Sequence, residues 1–183
     1  MINVRKFLVL MLLSSAAVTT ACEDELLFPE MDVIADTVVL YSAARENLTG
    51  LPAAFNFVTL QRIPIEVAGA SGQWDVMLTE QNGQLVFVPA GAIPELAALA
   101  EITVVEGTSF DALTRAPSGN DVYVTEPVSV RSGVVYVVRT RSSPCTLYAK
   151  FRVLAADADD GNVRFEFLQN PNCGNRALEV EDE

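Results

Sequence analysis

Alternating apolar and polar positions organise the C-terminal third of the chain. Three segments, 134–141, 145–155 and 162–169, are rich in β-branched and aromatic residues and are separated by turn residues. In the last segment every second residue from Val163 to Phe167 is apolar, and the residues between them are charged. Such alternation is typical of strands with one buried side and one solvent-facing side. The pattern therefore predicts a three-stranded antiparallel meander.

Shorter segments with the same period-two pattern come earlier in the chain. They predict strands at residues 37–41, 55–60, 63–67, 74–79, 84–88, 121–125 and 127–130. Asn82-Gly83 joins two of these strands, and this dipeptide is a strong signal for a two-residue hairpin turn. Two short helices are predicted as caps, about two turns at 94–101 and a further turn at 109–113. The predicted fold is one all-β, antiparallel, sandwich-like domain with one or two short helices.

Two cysteines flank the end of the meander. Cys145 begins its second strand and Cys173 follows its third. The acidic stretch 157–162 between them carries Asp, Asn and Gly, which favour a tight reversal that brings the cysteines together. We expect a disulfide that closes the meander, and two free thiols are the alternative. The acidic stretch lacks EF-hand spacing, since Gly161 is its fifth residue and Leu168 its twelfth, so a hairpin turn is favoured over a calcium loop.

The first 21 residues have the features of a bacterial signal peptide. A basic pair, Arg5 and Lys6, precedes a short apolar run at 7–13 and then small and polar residues up to Ala21. This run is too short to span a bilayer permanently. Cys22 follows in a sequence context that resembles a lipobox, so we expect it to be lipidated and to become the mature N-terminus. Ordinary cleavage after Ala21 is the alternative.

This interpretation divides the chain into a lipoprotein signal peptide at 1–21, an acidic tether at 22–36 and a β-rich domain at 37–183. Lipidation predicts a membrane partner and a place in the cell envelope, at the outer membrane of a Gram-negative-type bacterium, periplasmic or surface-exposed. The chain has 24 acidic and 12 basic residues and a formal net charge of −12. Such a charge argues against nucleic acid as a partner.

The residue inventory excludes several classes of enzyme. The chain has no histidine, which removes Ser-His-Asp and Cys-His systems, the usual zinc sites and the commonest general base. Lys150 is the only lysine after the signal peptide, and no Ser-x-x-Lys motif contains it. No Gly-rich loop opens a predicted helix, so phosphate-cradling motifs are absent. We therefore predict a protein that is not an enzyme and has neither a metal site nor a catalytic site.

Four segments together resemble a known family. They are the Trp-Asp strand that begins at Trp74-Asp75-Val76, and the segments 135–140, 148–150 and 162–167 with their Tyr-x-x-Arg-Thr, Tyr-x-Lys and aromatic patterns. This set is similar to strands of the HmuY-type haem-carrying bacterial lipoproteins. The resemblance implies an all-β, hand-like domain on a lipid anchor at the outer membrane that binds haem for uptake.

The chain departs from this family at the iron ligands. Family members hold haem iron with paired His or paired Met downstream of the Trp-Asp strand, and this chain has neither residue after Met77. Without His, the candidate ligands are Met77, Met31, a tyrosinate or a cysteine. We assign ligand contacts to Met77, Tyr148 and Lys150, with plain packing of Met77 and an ordinary cross-strand pair as the alternatives. No cofactor is expected, and haem binding should be weak or absent.

Two functions from different classes follow. The first is a membrane-anchored, ligand-binding lipoprotein of the cell envelope that takes a small apolar ligand in a cleft of its sheet. The alternative is a structural or protein-interaction lipoprotein of the envelope, whose aromatic strands only fill its core and which has no small-molecule ligand.

Overall fold

The computed structural model describes residues 31–96, 99–142 and 145–180. In these ranges the chain forms ten strands: β1 (Ile34–Tyr41), β2 (Ala54–Asn56), β3 (Gln61–Ile63), β4 (Val76–Gln81), β5 (Gln84–Pro89), β6 (Leu99–Val105), β7 (Val128–Ser129), β8 (Val135–Ser142), β9 (Cys145–Asp157) and β10 (Asn162–Asn170). The helices described are two 3₁₀ turns, Glu46–Leu48 and Ala90–Ala92, and no helix in this part of the chain could cross a membrane. The all-β prediction is confirmed.

The strands form two antiparallel sheets. Sheet A has the order β1-β10-β9-β8-β6, and sheet B has the order β3-β2-β4-β5-β7. The predicted meander is the centre of sheet A, because β8, β9 and β10 pair in succession. The predicted hairpin joins β4 to β5. Its turn residues have positive φ, 54° at Asn82 and 76° at Gly83, as a type I′ turn requires.

The two sheets pack face to face through a core of aromatic rings. Phe151 of β9 stacks on Tyr136 of β8 with ring centroids 5.0 Å apart. The same Phe151 ring meets Phe57, which follows β2, at 5.8 Å, and Phe87 of β5 at 5.1 Å. All four side chains are almost completely buried. Stacked and edge-to-face pairs at these distances stabilise a core beyond the apolar area they bury.

The opposite face of sheet A is covered by chain without regular structure. The irregular segment 106–127 and the C-terminal segment 171–180 lie there. A second cluster of buried residues joins them to the sheet: Phe110, Ala116, Tyr123, Val135, Val137, Leu168 and Leu178. Sheet A is therefore the middle of three layers, which explains why both faces of β8 and β9 are largely apolar.

The disulfide predicted between Cys145 and Cys173 is present, with the two Cα atoms 5.3 Å apart. Next to it, the Gly174 N–H donates to the carbonyl of Thr146 at 2.8 Å. The disulfide therefore fixes the start of the C-terminal segment to the first residue of β9. From that point the segment crosses the outer face of sheet A and buries Leu178 completely.

The loop after β1 closes one end of the sandwich. The Ala43 N–H donates to the carbonyl of Leu78 on β4 at 3.0 Å. Arg45 donates through Nε to Glu80 of β4 at 2.5 Å, and its other nitrogens donate to carbonyls in the turn between β9 and β10. Arg45 thus connects the two sheets. The turn at 157–162 is the hairpin turn that the sequence predicts.

The helix predicted at 94–101 is wrong. Leu99–Val105 is β6, which pairs along its whole length with β8 and buries Ala100 and Ile102 against the core. The spacing of Leu and Ala in this segment is compatible with a helix and also with a strand. Hydrogen bonding to β8 makes it a strand. The helix predicted at 109–113 is reduced to a single hydrogen-bonded turn.

Several strand boundaries also differ from the prediction. β1 begins at Ile34, so the last residues assigned to the tether belong to the strand. The strand predicted at 55–60 ends at Asn56, since the chain turns there and Leu60 has a positive φ of 57°. The strand predicted at 63–67 is displaced to the short β3 before it.

The last two short strands are reduced as well. Of the strand predicted at 121–125, one bridge remains, in which Val124 and Ile102 exchange backbone hydrogen bonds of 2.8 and 2.9 Å. The strand predicted at 127–130 is the two-residue β7. The first segment belongs to the irregular chain 106–127, whereas β7 pairs with β5 at the edge of sheet B.

Candidate functional site

A cleft lies on the side of the sandwich where β1, the edge of sheet A, faces the β2–β3 edge of sheet B. Its volume is about 320 Å³, at the lower end of the range for small-molecule sites. The lining residues come from β1, β2, β3, β10 and the turn between β2 and β3: Ile34, Asp36, Thr37, Val38, Phe55, Leu60, Arg62 and Phe167. The lining therefore combines five apolar side chains with the polar Asp36, Thr37 and Arg62, and more of its accessible surface is polar than apolar.

Two phenylalanines, one from each sheet, form the floor of the cleft. The rings of Phe55 on β2 and Phe167 on β10 are tilted against each other with centroids 5.2 Å apart. Both side chains and Val38 beside them are at least 95 % buried. They belong to the main core, so the floor is held in place by packing on its far side.

Two charged side chains stand at the mouth of the cleft. Asp36 of β1 is the cross-strand neighbour of Phe167, and Arg62 of β3 is the cross-strand neighbour of Phe55. Directly opposed residues of an antiparallel pair lie on the same face of the sheet. Asp36 and Arg62 therefore project from the inward faces of their strands, each beside one of the two floor phenylalanines. Both side chains are exposed to solvent.

The two charges differ in their surroundings. The Asp36 carboxylate accepts a hydrogen bond from the Thr37 N–H at 2.6 Å. Arg62 forms no ion pair with any carboxylate in the described ranges of the chain, and the arginines that do form one are Arg45, Arg131, Arg139, Arg141 and Arg152. Among the residues that the structure describes, the guanidinium of Arg62 at the mouth of the cleft thus has no carboxylate paired with it.

A buried carboxylate positions the strand that carries Phe55. Asp75 is 3 % exposed and accepts hydrogen bonds from the Phe57 N–H at 2.6 Å and the Thr140 hydroxyl of sheet A at 2.7 Å. The Asp75 N–H also donates to the carbonyl of Phe55 at 2.9 Å. Burial raises the pKa of Asp75, and the donated hydrogen bonds oppose that shift. The Trp-Asp motif therefore supplies a connection between the sheets.

The residues predicted to contact a ligand lie outside the cleft. Met77 is half-buried on sheet B and packs against the main core. Tyr148 and Lys150 lie together on the outer face of β9, under the irregular segment 106–127. The structure thus brings Tyr148 and Lys150 together and leaves Met77 on the other sheet.

Lys150 is a buried cation that binds backbone carbonyls. Its Nζ donates to the carbonyls of Phe110 at 2.6 Å and Leu113 at 3.0 Å, and it lies 4.4 Å from the centre of the Phe110 ring. Burial lowers the pKa of Lys150, which the nearest carboxylate, Asp111, partly offsets. These contacts fasten the 109–113 turn to sheet A.

A second buried cation, Arg139, lies beside Tyr148 on this face. Its Nε donates to Glu101 at 2.8 Å, its Nη1 donates to Asn120 at 2.7 Å, and its guanidinium lies 4.3 Å from the centre of the Tyr123 ring. Its Nη2 is buried without a well-aligned hydrogen bond, but it lies 2.5 Å from a carboxylate oxygen of Glu101, so the charge is paired. The Tyr-x-x-Arg and Tyr-x-Lys patterns are therefore accounted for by attachment of the outer layer.

The cleft lacks the iron ligands that the resemblance to haem-carrying lipoproteins implies. None of its lining residues is His, Met, Tyr or Cys, so none can ligate iron from the positions that the family uses. Cys145 and Cys173 are joined to each other, and Met31 is 55 % exposed. In residues 31–96, 99–142 and 145–180 no group of three His, Cys, Asp or Glu residues is placed to hold a metal ion.

No protein-family model matches the chain, and no curated protein and no solved structure matches it significantly. The resemblance to the HmuY-type lipoproteins stays a sequence-based prediction. The cleft residues were missed from the sequence because they come from distant segments. Inward-facing charges on strands with apolar partners, Asp36 and Arg62, are the one local signal, and it becomes informative only when the strand order is known.

Proposed function

We propose that this protein is a lipid-anchored protein of the cell envelope that binds a small apolar ligand in the cleft between the edges of β1 and β3. The observation that carries the proposal is the cleft itself. It is a preformed concavity whose bottom is fixed by the packed rings of Phe55 and Phe167, and it opens to solvent. It also places the apolar side chains of Ile34 and Leu60 beside polar groups, a combination found in small-molecule sites.

The rest of the molecule supports a binding role at this cleft. The loop at 42–45 and Arg45 close one end of the sandwich, whereas the side with Ile34 and Leu60 is open. Burying the exposed part of Ile34, which is 39 % accessible, together with the partly buried Leu60 would favour an apolar ligand through the hydrophobic effect. Catalysis has no comparable support, because the buried cations Lys150 and Arg139 contact protein groups and lie on another face.

Filling the mouth of the cleft is expected to prevent binding. In a form that begins at Glu23, the Ile34→Trp variant should bind the neutral fluorescent probe phenylnaphthylamine about tenfold more weakly. The larger indole would occupy part of the cleft that the probe needs, and a steric conflict of this kind costs about 1–3 kcal/mol. Leu154→Trp is the matched control, because Leu154 is 40 % exposed on β9 and does not line the cleft. Equal binding by both variants, or no binding by the parent protein, would contradict the proposal.

The anchor is tested separately at Cys22. Mass spectrometry of the membrane fraction should find an N-terminal peptide that begins at Cys22 and carries acyl chains, with two or more chains because one alone anchors only marginally. The Cys22→Ser variant should carry none. An unmodified N-terminus after cleavage at Ala21 would show ordinary secretion and would remove the anchor from the proposal, without affecting the cleft.

The alternative function, an interaction module without a ligand, has one observation in its favour. β1 is the edge of sheet A, and the first four of its residues are exposed. An exposed strand edge can pair with another chain. If the probe does not bind while a peptide or protein partner shifts the backbone signals of β1, this alternative replaces the small-ligand proposal.

A further inference from the structure

The charges at the mouth of the cleft carry information about the ligand. This inference rests on the proposed function, because it assigns a chemical class to the occupant of the same cleft. Of the two charges, Asp36 is hydrogen-bonded by the Thr37 N–H, and Arg62 forms no ion pair in the described part of the chain. Arg62 is therefore the cationic group at the mouth that can pair with an anionic ligand, and the Asp36 carboxylate beside it opposes anion binding.

We infer that the cleft binds an amphiphilic organic anion, whose apolar part lies against the accessible parts of Ile34 and Leu60 and whose anionic group pairs with the guanidinium of Arg62. The register sets this geometry. Arg62 is directly opposite Phe55 in the β2–β3 pair, and Cβ atoms of such pairs are about 4.5–5.5 Å apart. Because Phe55 lies at the bottom of the cleft, a ligand seated between Ile34 and Leu60 has its polar end within reach of Arg62.

Arginine suits this role for a physical reason. Its planar guanidinium presents several N–H donors in a fixed arrangement that matches carboxylate or sulfonate oxygens. The protein as a whole has a formal net charge of −12, so a nonspecific attraction for anions is not expected. Anion binding at the cleft must come from a local contact, and a single substitution can test it.

The edge position of Arg62 offers a different explanation that the test must separate. Inward-pointing charges on edge strands prevent sheets from pairing edge to edge with other molecules. If this is the whole role of Arg62, its removal promotes self-association and leaves ligand binding unchanged. If the inference is right, its removal weakens the binding of anions and leaves the binding of neutral analogues unchanged.

The experiment uses two probes with nearly the same aromatic body, neutral phenylnaphthylamine and anionic anilinonaphthalene sulfonate. Both core clusters lie between Val33 and Leu178, so a chain that begins at Glu23 contains every core residue that the structure describes. Arg62→Gln should bind the anionic probe about fivefold more weakly, the scale of one exposed ion pair. Its affinity for the neutral probe should be unchanged.

Two variants serve as controls of charge. Arg164→Gln makes the same change in net charge on β10, outside the cleft, and should leave both probes unaffected. Asp36→Asn removes the negative charge at the mouth and should strengthen binding of the anionic probe alone. Decanoate and decanol, used as competitors, extend the comparison to a carboxylate and its neutral analogue. Binding to vesicles that contain an anionic phospholipid would show whether the anion can come from a membrane lipid or must be a free amphiphile.

Each outcome decides the inference. Selective loss of anion binding in Arg62→Gln supports it. If Arg62→Gln and the parent protein bind the anionic probe with equal affinity, the inference is overturned, whether or not the variant self-associates on a sizing column. The proposed function then still stands if the neutral probe binds. If neither probe binds the parent protein, the proposed function fails and the inference fails with it.

Discussion

Replacing Cys145 and Cys173 together with serine is expected to lower the free energy of unfolding by about 3.5 kcal/mol, on the chain-entropy estimate for a 28-residue separation. The bond restricts the unfolded chain, and in the folded protein it fixes the segment that carries Leu178 across sheet A. Its loss should therefore also release residues 171–180, seen as faster amide exchange there than in β9.

Chemical denaturation of the variant and the parent protein measures this effect. Treating the parent protein with a reductant should reproduce the result of the double substitution, whereas the same treatment of the variant should change nothing. A loss below about 1 kcal/mol, or amide exchange that stays slow across 171–180, would show that packing and hydrogen bonds hold the C-terminal segment in place without the disulfide.

Replacing Asp75 with alanine is expected to cost about 3 kcal/mol. It removes the acceptor for the Phe57 N–H and the Thr140 hydroxyl, which would then be buried without partners at a cost of about 1–3 kcal/mol each. Asp75→Asn is the matched control, because it keeps an acceptor oxygen and the volume, and should cost about 1 kcal/mol. Thermal and urea unfolding measure both, and an alanine variant as stable as the parent would contradict the role of Asp75 as an inter-sheet connection.

The same site has a defined pH dependence. Because burial raises the folded pKa of Asp75 above its ordinary value of 3.8, the native state holds this proton to higher pH than the unfolded chain does. The contribution of Asp75 to stability is therefore greatest below about pH 3.8 and declines as the pH rises through the folded pKa. The stability difference between the parent protein and Asp75→Asn should shrink over that interval as the pH rises, and a difference that widens would contradict the assigned shift.

The parts of the fold that the sequence predicted are those specified locally. Alternation over 162–169 fixes which face of β10 is buried, and Asn82-Gly83 provides the two positive φ values of the hairpin. The disulfide followed from the turn at 157–162, which returns the chain to Cys145. In each case the residues that decide the structure are close together in the sequence.

The failures have the opposite cause. Residues 94–101 have a helical spacing, yet pairing of β6 with β8, more than 30 positions later, makes Leu99–Val105 a strand. The cleft depends on contact between Phe55 and Phe167 and on β1 lying beside β10. Because strand order is a property of the whole chain, no local pattern identified these residues as neighbours.

The central claim is that a small apolar ligand binds in the cleft between β1 and β3, and methyl NMR tests it most directly. Signals of Ile34, Val38 and Leu60, all of which line the cleft, should shift when phenylnaphthylamine is added. Those of Val137, on the outer face of sheet A, should not shift. Shifts centred on Val137, or no shifts at saturating probe, would contradict the claim.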